Sequence, residues 1–242
     1  NIAYCAFNGA GRKAVPSILG GTGFGKPMII KAMDELNGLF PAFCSEPGKE
    51  QQPDPGDWRS ADIAMASFKK EYPNDADKMD ILIGTDPDAD RCGVIVKVPQ
   101  NQRHIYDGKD YALLPADDAW SLVVWYRLKY EIDKYGAIQD ADKKFIVQSH
   151  TTSDAMVRLA LKHGLGVVRT WVGFAMLSAG VRHFWEKLPV PKLSHGRLSP
   201  EQEKCDPVIM ECLNMTSERS INIAAMEQSN GFSLLGGAPK DK

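Results

Sequence analysis

Short apolar runs alternate along the chain with stretches of helical period, a pattern that predicts α/β layering. At the start, "IAYCAF" (2–7) predicts a strand and "NGAG" (8–11) a tight loop. "RKAVPSILGGTGF" (12–24) then predicts a helix with Pro16 near its first turn and glycines ending it. "KPMIIKAMDELNGLF" (26–40) fits either a second helix or a strand followed by a helix, and "SEPGKEQQPDPGDW" (45–58) is irregular. "SADIAMASFKKEY" (60–72) predicts a helix capped by Ser60, followed by strands at "ILIG" (81–84) and "GVIVKV" (93–98). The polar, aperiodic "PQNQR" (99–103) marks a boundary, and the same grammar then repeats. A long amphipathic helix is expected over 111–132, broken early by Pro115, with Trp120 and Trp125 in the core. Next come a strand "KFIVQS" (144–149), a helix over 153–164 ended by Gly164, and a strand "LGVVRT" (165–170). The loop "WVGF" leads into a helix through His183 and Trp185, then a polar stretch at 190–204 that reads as a flexible insertion, and "INIAAM" (221–226).

The acidic turn between two of these strands, "GTDPDADRCG", sets the chemical question. Asp86, Asp88 and Asp90 stand on alternate positions after an apolar strand, and ionised carboxylates this close repel one another unless a cation or proton offsets them. Open α/β sheets bind ligands outside the carboxyl ends of their strands, and Pro87 stiffens the loop. An oxygen-only donor set suits a hard cation such as Mg²⁺ or Ca²⁺ rather than zinc. An EF-hand would need glycine at the sixth loop position and glutamate at the twelfth, where Arg91 and Lys97 stand. Arg91 is unsuited to ligate a metal but well suited to hold a phosphate oxygen beside one. A solvated surface turn is the plainer alternative.

Composition narrows the setting. The 242 residues, 43% hydrophobic, suffice for two medium domains, and a net charge of −2 provides no broad basic field for nucleic acid. No apolar stretch approaches the roughly 20 residues of a membrane span. The five scattered cysteines lack zinc-site spacing, which suits a reducing cytoplasm. Asn1 leads straight into an apolar strand without an initiator methionine, the expectation being a piece of a longer chain. Three other loops are candidates. "FNGAGR" (7–12) has backbone N–H groups able to face a phosphate, although packing of the turn explains its glycines as well. In "EQSNG" (227–231), Glu227 and Ser229 share one side of an extended backbone and could bind adjacent sugar hydroxyls, or simply form a turn. His150, at a strand-to-helix junction, is a further candidate, and the five histidines show no metal spacing.

Taken in order, these loops resemble the α-D-phosphohexomutase superfamily of phosphoglucomutases and phosphomannomutases. "GTDPDADR" resembles its magnesium-binding motif, "FNGAGR…VPSILGGTGF" the opening of its second domain, and "EQSNG" the sugar-recognition motif of its third. "SHTTSDAMVRLALKHGLGVVRTWVGF" is similar to the segment leading into the third domain's glycine-phenylalanine loop. The resemblance implies two consecutive three-layer α/β/α domains, each a mixed sheet flanked by helices. The second domain of the family would lie at 1–100 and the third, incomplete at its C-terminus, at 101–242. It further implies Mg²⁺ held by Asp86, Asp88 and Asp90, phosphoryl orientation by Arg91, and hexose phosphate bound by Glu227, Ser229 and Gly173. The implied reaction interconverts hexose 1-phosphate and hexose 6-phosphate through a phosphoserine and a bisphosphorylated sugar. The phosphoserine loop of the first domain and the phosphate loop of the fourth have no counterpart here, so the piece alone is expected to be inactive. Ala175 stands where many phosphoglucomutases have lysine. A haloacid-dehalogenase-type phosphatase and a non-catalytic sugar-phosphate-binding module are the alternatives.

Overall fold

The computed structural model describes residues 1–44, 52–191 and 208–234, and the chain forms two compact units, 1–115 and 116–242. The expected insertion at 190–204, His195 and Cys205 lie largely or wholly outside the described residues.

The first unit is built on a five-stranded mixed sheet in the order β2-β1-β3-β4-β5. These strands are β1 (Ile2–Cys5), β2 (Met28–Ile29), β3 (Ile81–Thr85), β4 (Cys92–Lys97) and β5 (Tyr111–Leu113). The strand β1 runs parallel to β2 and β3, and the β3-β4-β5 pairings are antiparallel. Helix α1 (Gly11–Gly20) follows β1, a short α2 (Pro41–Cys44) follows β2, and α3 (Trp58–Glu71) precedes β3. The core gathers Ala3, Cys5 and Phe7 with Leu82, Phe43 and the Ala61, Ala64, Met65 and Phe68 face of α3. Apolar residues three and four apart on α3 make that face, as the helical repeat requires.

Several expectations shift here. "KPMII" resolves as the short strand β2, and Pro16 lies inside α1 rather than in its first turn. The cap of α3 is Asp57, whose carboxylate accepts the Arg59 N–H at 3.0 Å. Ser60 is buried instead and accepts the Asp54 N–H at 3.2 Å. The helix expected from 111 begins only at Ala116, because Tyr111, Ala112 and Leu113 are all buried as β5 against β4. The first compact unit runs past residue 100 to Pro115, because β5 pairs with β4 in its sheet.

The second unit carries α4 (Ala116–Tyr135), β6 (Lys144–Ser149), α5 (Asp154–Lys162), β7 (Gly166–Thr170), α6 (Phe174–Trp185), β8 (Ile209–Leu213), β9 (Ile221–Met226) and β10 (Phe232–Ser233). Its sheet order is β10-β9-β6-β7-β8. The central β6 is parallel to β7 and β9, and every residue of "KFIVQS" is buried, so its apolar Phe145, Ile146 and Val147 run consecutively rather than alternate. Trp120 is buried, stacks on Phe232 with ring centroids 4.7 Å apart, and donates its indole N–H to Glu227 O at 3.2 Å. Trp125, expected in the core, is half-exposed on α4.

The two units share a plan. In each, a first strand (β1, β6) is flanked by parallel second (β2, β7) and third (β3, β9) strands, and the third turns back as an antiparallel hairpin (β4, β10). The acidic turn of the first unit and "EQSNG" of the second are both the loop of that hairpin.

Candidate active-site loops

Asp86 follows the last residue of β3 and is 1% exposed, whereas Asp88 and Asp90 are exposed. One carboxylate oxygen from each of the three lies within 4.8 Å of the others. The loop closes on itself through Asp86 N–H to Arg91 O (3.3 Å) and Ala89 N–H to Asp86 O (3.0 Å), with Ala89 at φ 61°. Arg91 is locked to Asp86 twice, by its backbone N–H on Oδ1 at 3.0 Å and by Nε on Oδ2 at 2.8 Å. Its Nη1 donates to Asp54 Oδ2 at 3.3 Å. Burial pushes the Asp86 carboxyl up to about 6, the Arg91 hydrogen bonds pull against this, and a hydrogen bond with Asp88 adds to the rise. The same loop, with Gln52 and Pro53, lines a cavity of about 260 Å³. Three close carboxylates, one of them desolvated, in an oxygen-only pocket fit a hard divalent cation.

The glycine loop after β1 braces this turn from below. Ala10 N–H donates to Pro87 O at 2.8 Å, and a Cβ on Gly9 would lie 2.5 Å from Pro87 Cα and 2.6 Å from Pro87 O. Packing of the turn thus accounts for Gly9. Because those atoms are backbone and have no rotamer to move into, Gly9→Ala is expected to cost about 2 kcal/mol. Thermal melts check this: the transition falls by several degrees, and unchanged melting would refute the brace.

Asp54 was not legible as a site residue. Its segment "PDPG" carries only turn signals, and Arg91 lies 37 residues away. In the fold, a Cβ on Gly93 would lie 1.9 Å from Pro55 O, so this turn sits flat against the start of β4 and brings Asp54 to the guanidinium.

In the second unit, Glu227 follows β9 and is 5% exposed. Its Oε2 accepts the Gly173 N–H at 2.9 Å, and its Oε1 accepts the Ser229 hydroxyl at 2.6 Å. Gly173, at φ 114° and ψ 142°, occupies a conformation that disfavours a side chain, and Gly231 leaves room for the Phe174 ring. Glu227 therefore ties the hairpin loop to the loop after β7, a link that spacing within "EQSNG" could not reveal. Gln228 adds a second tie: its Oε1 accepts from Thr151 at 2.6 Å and from Ser149 at 3.2 Å. His150 is exposed, with its ring set edge-on against Trp171. Ala175 lies exposed in the first turn of α6.

Residues 1–99 match the family model described as phosphoglucomutase/phosphomannomutase, alpha/beta/alpha domain II. The match is to phosphoglucomutases and phosphomannomutases, and it lies in the first 99 residues. A phosphomannomutase of Mycoplasma pneumoniae is 29% identical to it over 107 residues, covering 44% of this chain and 17% of that protein. A phosphoglucomutase of Staphylococcus epidermidis is 24% identical over 182 residues, covering 75% of this chain and 28% of that protein. A crystal structure from Thermus thermophilus, named as a candidate phosphomannomutase, shares the fold with a TM-score of 0.52 at 19% identity, over 96% of this chain and 37% of its own. The chain thus spans less than a third of the length of either curated relative. Among the described residues, no helix is long and apolar enough to cross a membrane.

Proposed function

We propose that this chain supplies the metal-holding and sugar-holding loops of a phosphohexomutase that interconverts hexose 1-phosphate and hexose 6-phosphate. Residues outside the 242 would provide the phosphoserine that exchanges a phosphoryl group with the sugar through a bisphosphorylated hexose. The observation that carries this reading is the cluster of Asp86, Asp88 and Asp90, their carboxylate oxygens within 4.8 Å of one another at a strand's carboxyl end, with Arg91 fixed beside them. These three aspartates would hold Mg²⁺, which when bound offsets negative charge on phosphoryl oxygens during transfer.

This chain's own residues do the rest. Asp86 and Asp54 hold the Arg91 guanidinium from two sides, so its remaining N–H donors are pre-aimed and lose little freedom on taking a phosphoryl oxygen. Glu227 accepts hydrogen bonds from sugar hydroxyls, Ser229 donates to or accepts from them, and the Gly173 backbone keeps the carboxylate in place.

The test is turnover by the full-length protein of glucose 1-phosphate, with Mg²⁺ and catalytic glucose 1,6-bisphosphate, followed by coupled oxidation of glucose 6-phosphate. Isomerisation that stops with a chelator and resumes on adding Mg²⁺ is expected. Release of inorganic phosphate in place of the isomer would overturn the reading.

A further inference from the structure

Trp58, Trp125 and Trp171 are each about two-fifths exposed, at 43%, 44% and 43%. Trp58 already has a partner, with Lys109 Nζ 4.8 Å from its ring centroid, and Trp125 lies along α4. Trp171 is placed differently. It directly follows β7, two residues before the Gly173 N–H that grips Glu227. Its backbone is anchored on both sides, by Trp171 N–H to Val208 O at 3.4 Å and by the Thr170 hydroxyl to Trp171 O at 2.9 Å. The His150 ring meets the indole at 5.2 Å and 75°, and His150 N–H donates to Thr170 O at 2.9 Å. A large aromatic surface, met edge-on by the His150 ring, is thus left open to solvent two residues along the loop from the N–H that grips the buried carboxylate. Exposing an indole forfeits hydrophobic stabilisation unless something covers it.

We propose that Trp171 is a specificity-determining residue, its open indole packing against the C–H face of the hexose ring and favouring the gluco over the manno configuration. This rests on the reading of Glu227 and Ser229 as the sugar-holding pair. A pyranose carries its hydroxyls around the rim and hydrogens on its faces, so an aromatic plate can cover a face that polar groups cannot use. In an α-hexose 1-phosphate the axial phosphate occupies one face. The opposite face presents the axial hydrogens of C2 and C4 when the sugar is glucose. In mannose the C2 hydroxyl is axial on that face, and in galactose the C4 hydroxyl is. Either would push the ring off the indole or bury a hydroxyl without a partner.

Calorimetric titration of the full-length protein with α-glucose 1-phosphate and α-mannose 1-phosphate tests this. In Trp171→Ala, glucose 1-phosphate is expected to bind about five- to tenfold more weakly. Mannose 1-phosphate stays within about twofold of its wild-type affinity on the same scale, so the preference collapses. Trp171→Phe keeps a plate and most of the affinity but loses the ligand-induced change in tryptophan emission expected of the wild type, which covers the case in which the alanine variant fails to fold. An unchanged glucose-to-mannose ratio in folded Trp171→Ala, or a wild-type emission response in Trp171→Phe, overturns the role of Trp171. Glu227→Gln separates the two layers: if it binds both sugars as the wild type does, or the wild type binds neither, the sugar-holding reading itself falls and the proposal with it.

Discussion

Replacing Asp88 by alanine in the full-length protein removes Mg²⁺-supported turnover, a loss on the order of 1,000-fold, while the fold survives. The two halves of that expectation have separate causes. Asp88 is exposed, and its one evident influence on a neighbour is a hydrogen bond that raises the Asp86 carboxyl, so the substitution relieves repulsion as much as it removes contact. Metal-free stability should move by no more than about 0.5 kcal/mol in either direction. Cation affinity behaves otherwise. Three carboxylates with donor atoms within 4.8 Å of one another constitute the oxygen set, and removing one leaves buried Asp86, already neutralised by Arg91, and Asp90 to hold a divalent ion. Two measurements decide it: the rise in melting temperature on adding Mg²⁺, which should vanish in the variant, and the rate of hexose 1-phosphate conversion. Wild-type thermal stabilisation by Mg²⁺ in Asp88→Ala would remove the aspartates from the metal assignment.

Glu227→Ala should weaken kcat/KM for hexose phosphates by on the order of 100-fold, the scale of losing charge-assisted hydrogen bonds at a desolvated carboxylate. Unlike Asp88, this residue is 5% exposed and internally bonded, accepting from the Gly173 N–H and the Ser229 hydroxyl. Its removal leaves the part-buried Gly173 N–H without this acceptor and unties the loop after β7 from the hairpin loop after β9, so a stability loss of about 1–3 kcal/mol accompanies the kinetic effect. Glu227→Gln distinguishes the contributions. Glutamine can still accept one of the two internal bonds, so melting should recover most of the way while sugar affinity stays low. Full recovery of affinity along with stability would make Glu227 a tie between loops and nothing more.

The acidic turn was legible because its signals are local. Ile81, Leu82 and Ile83 make a strand, alternation places the carboxylates outside it, and close like charges need a counter-ion whatever the rest of the chain does. The α/β class was legible for the same reason, since each apolar run or helical repeat announces itself within a dozen residues. Ser60 was misread as a cap because its type fits one, yet Asp57 three residues earlier fits equally, and burial of Ser60 under the turn at Asp54 selects between them. The segment at 111–113 was misread because three apolar residues running into a helix carry no mark of the strand edge they close.

The sequence by itself determined the alternation of elements, the acidic loop with its arginine, and the glycines at 9 and 173 that only a tight backbone approach or an unusual φ requires. Tertiary structure alone decided what meets them: Asp54 on Arg91 across 37 residues, Gly173 on Glu227 across 54, and the common hairpin position of the two loops in their respective sheets. The physical reason is range. Strand propensity, charge repulsion and glycine freedom act between neighbours in the chain, whereas the partner of a buried carboxylate is chosen by which strands pair, and pairing is set by the burial of entire faces rather than by any short stretch of residues.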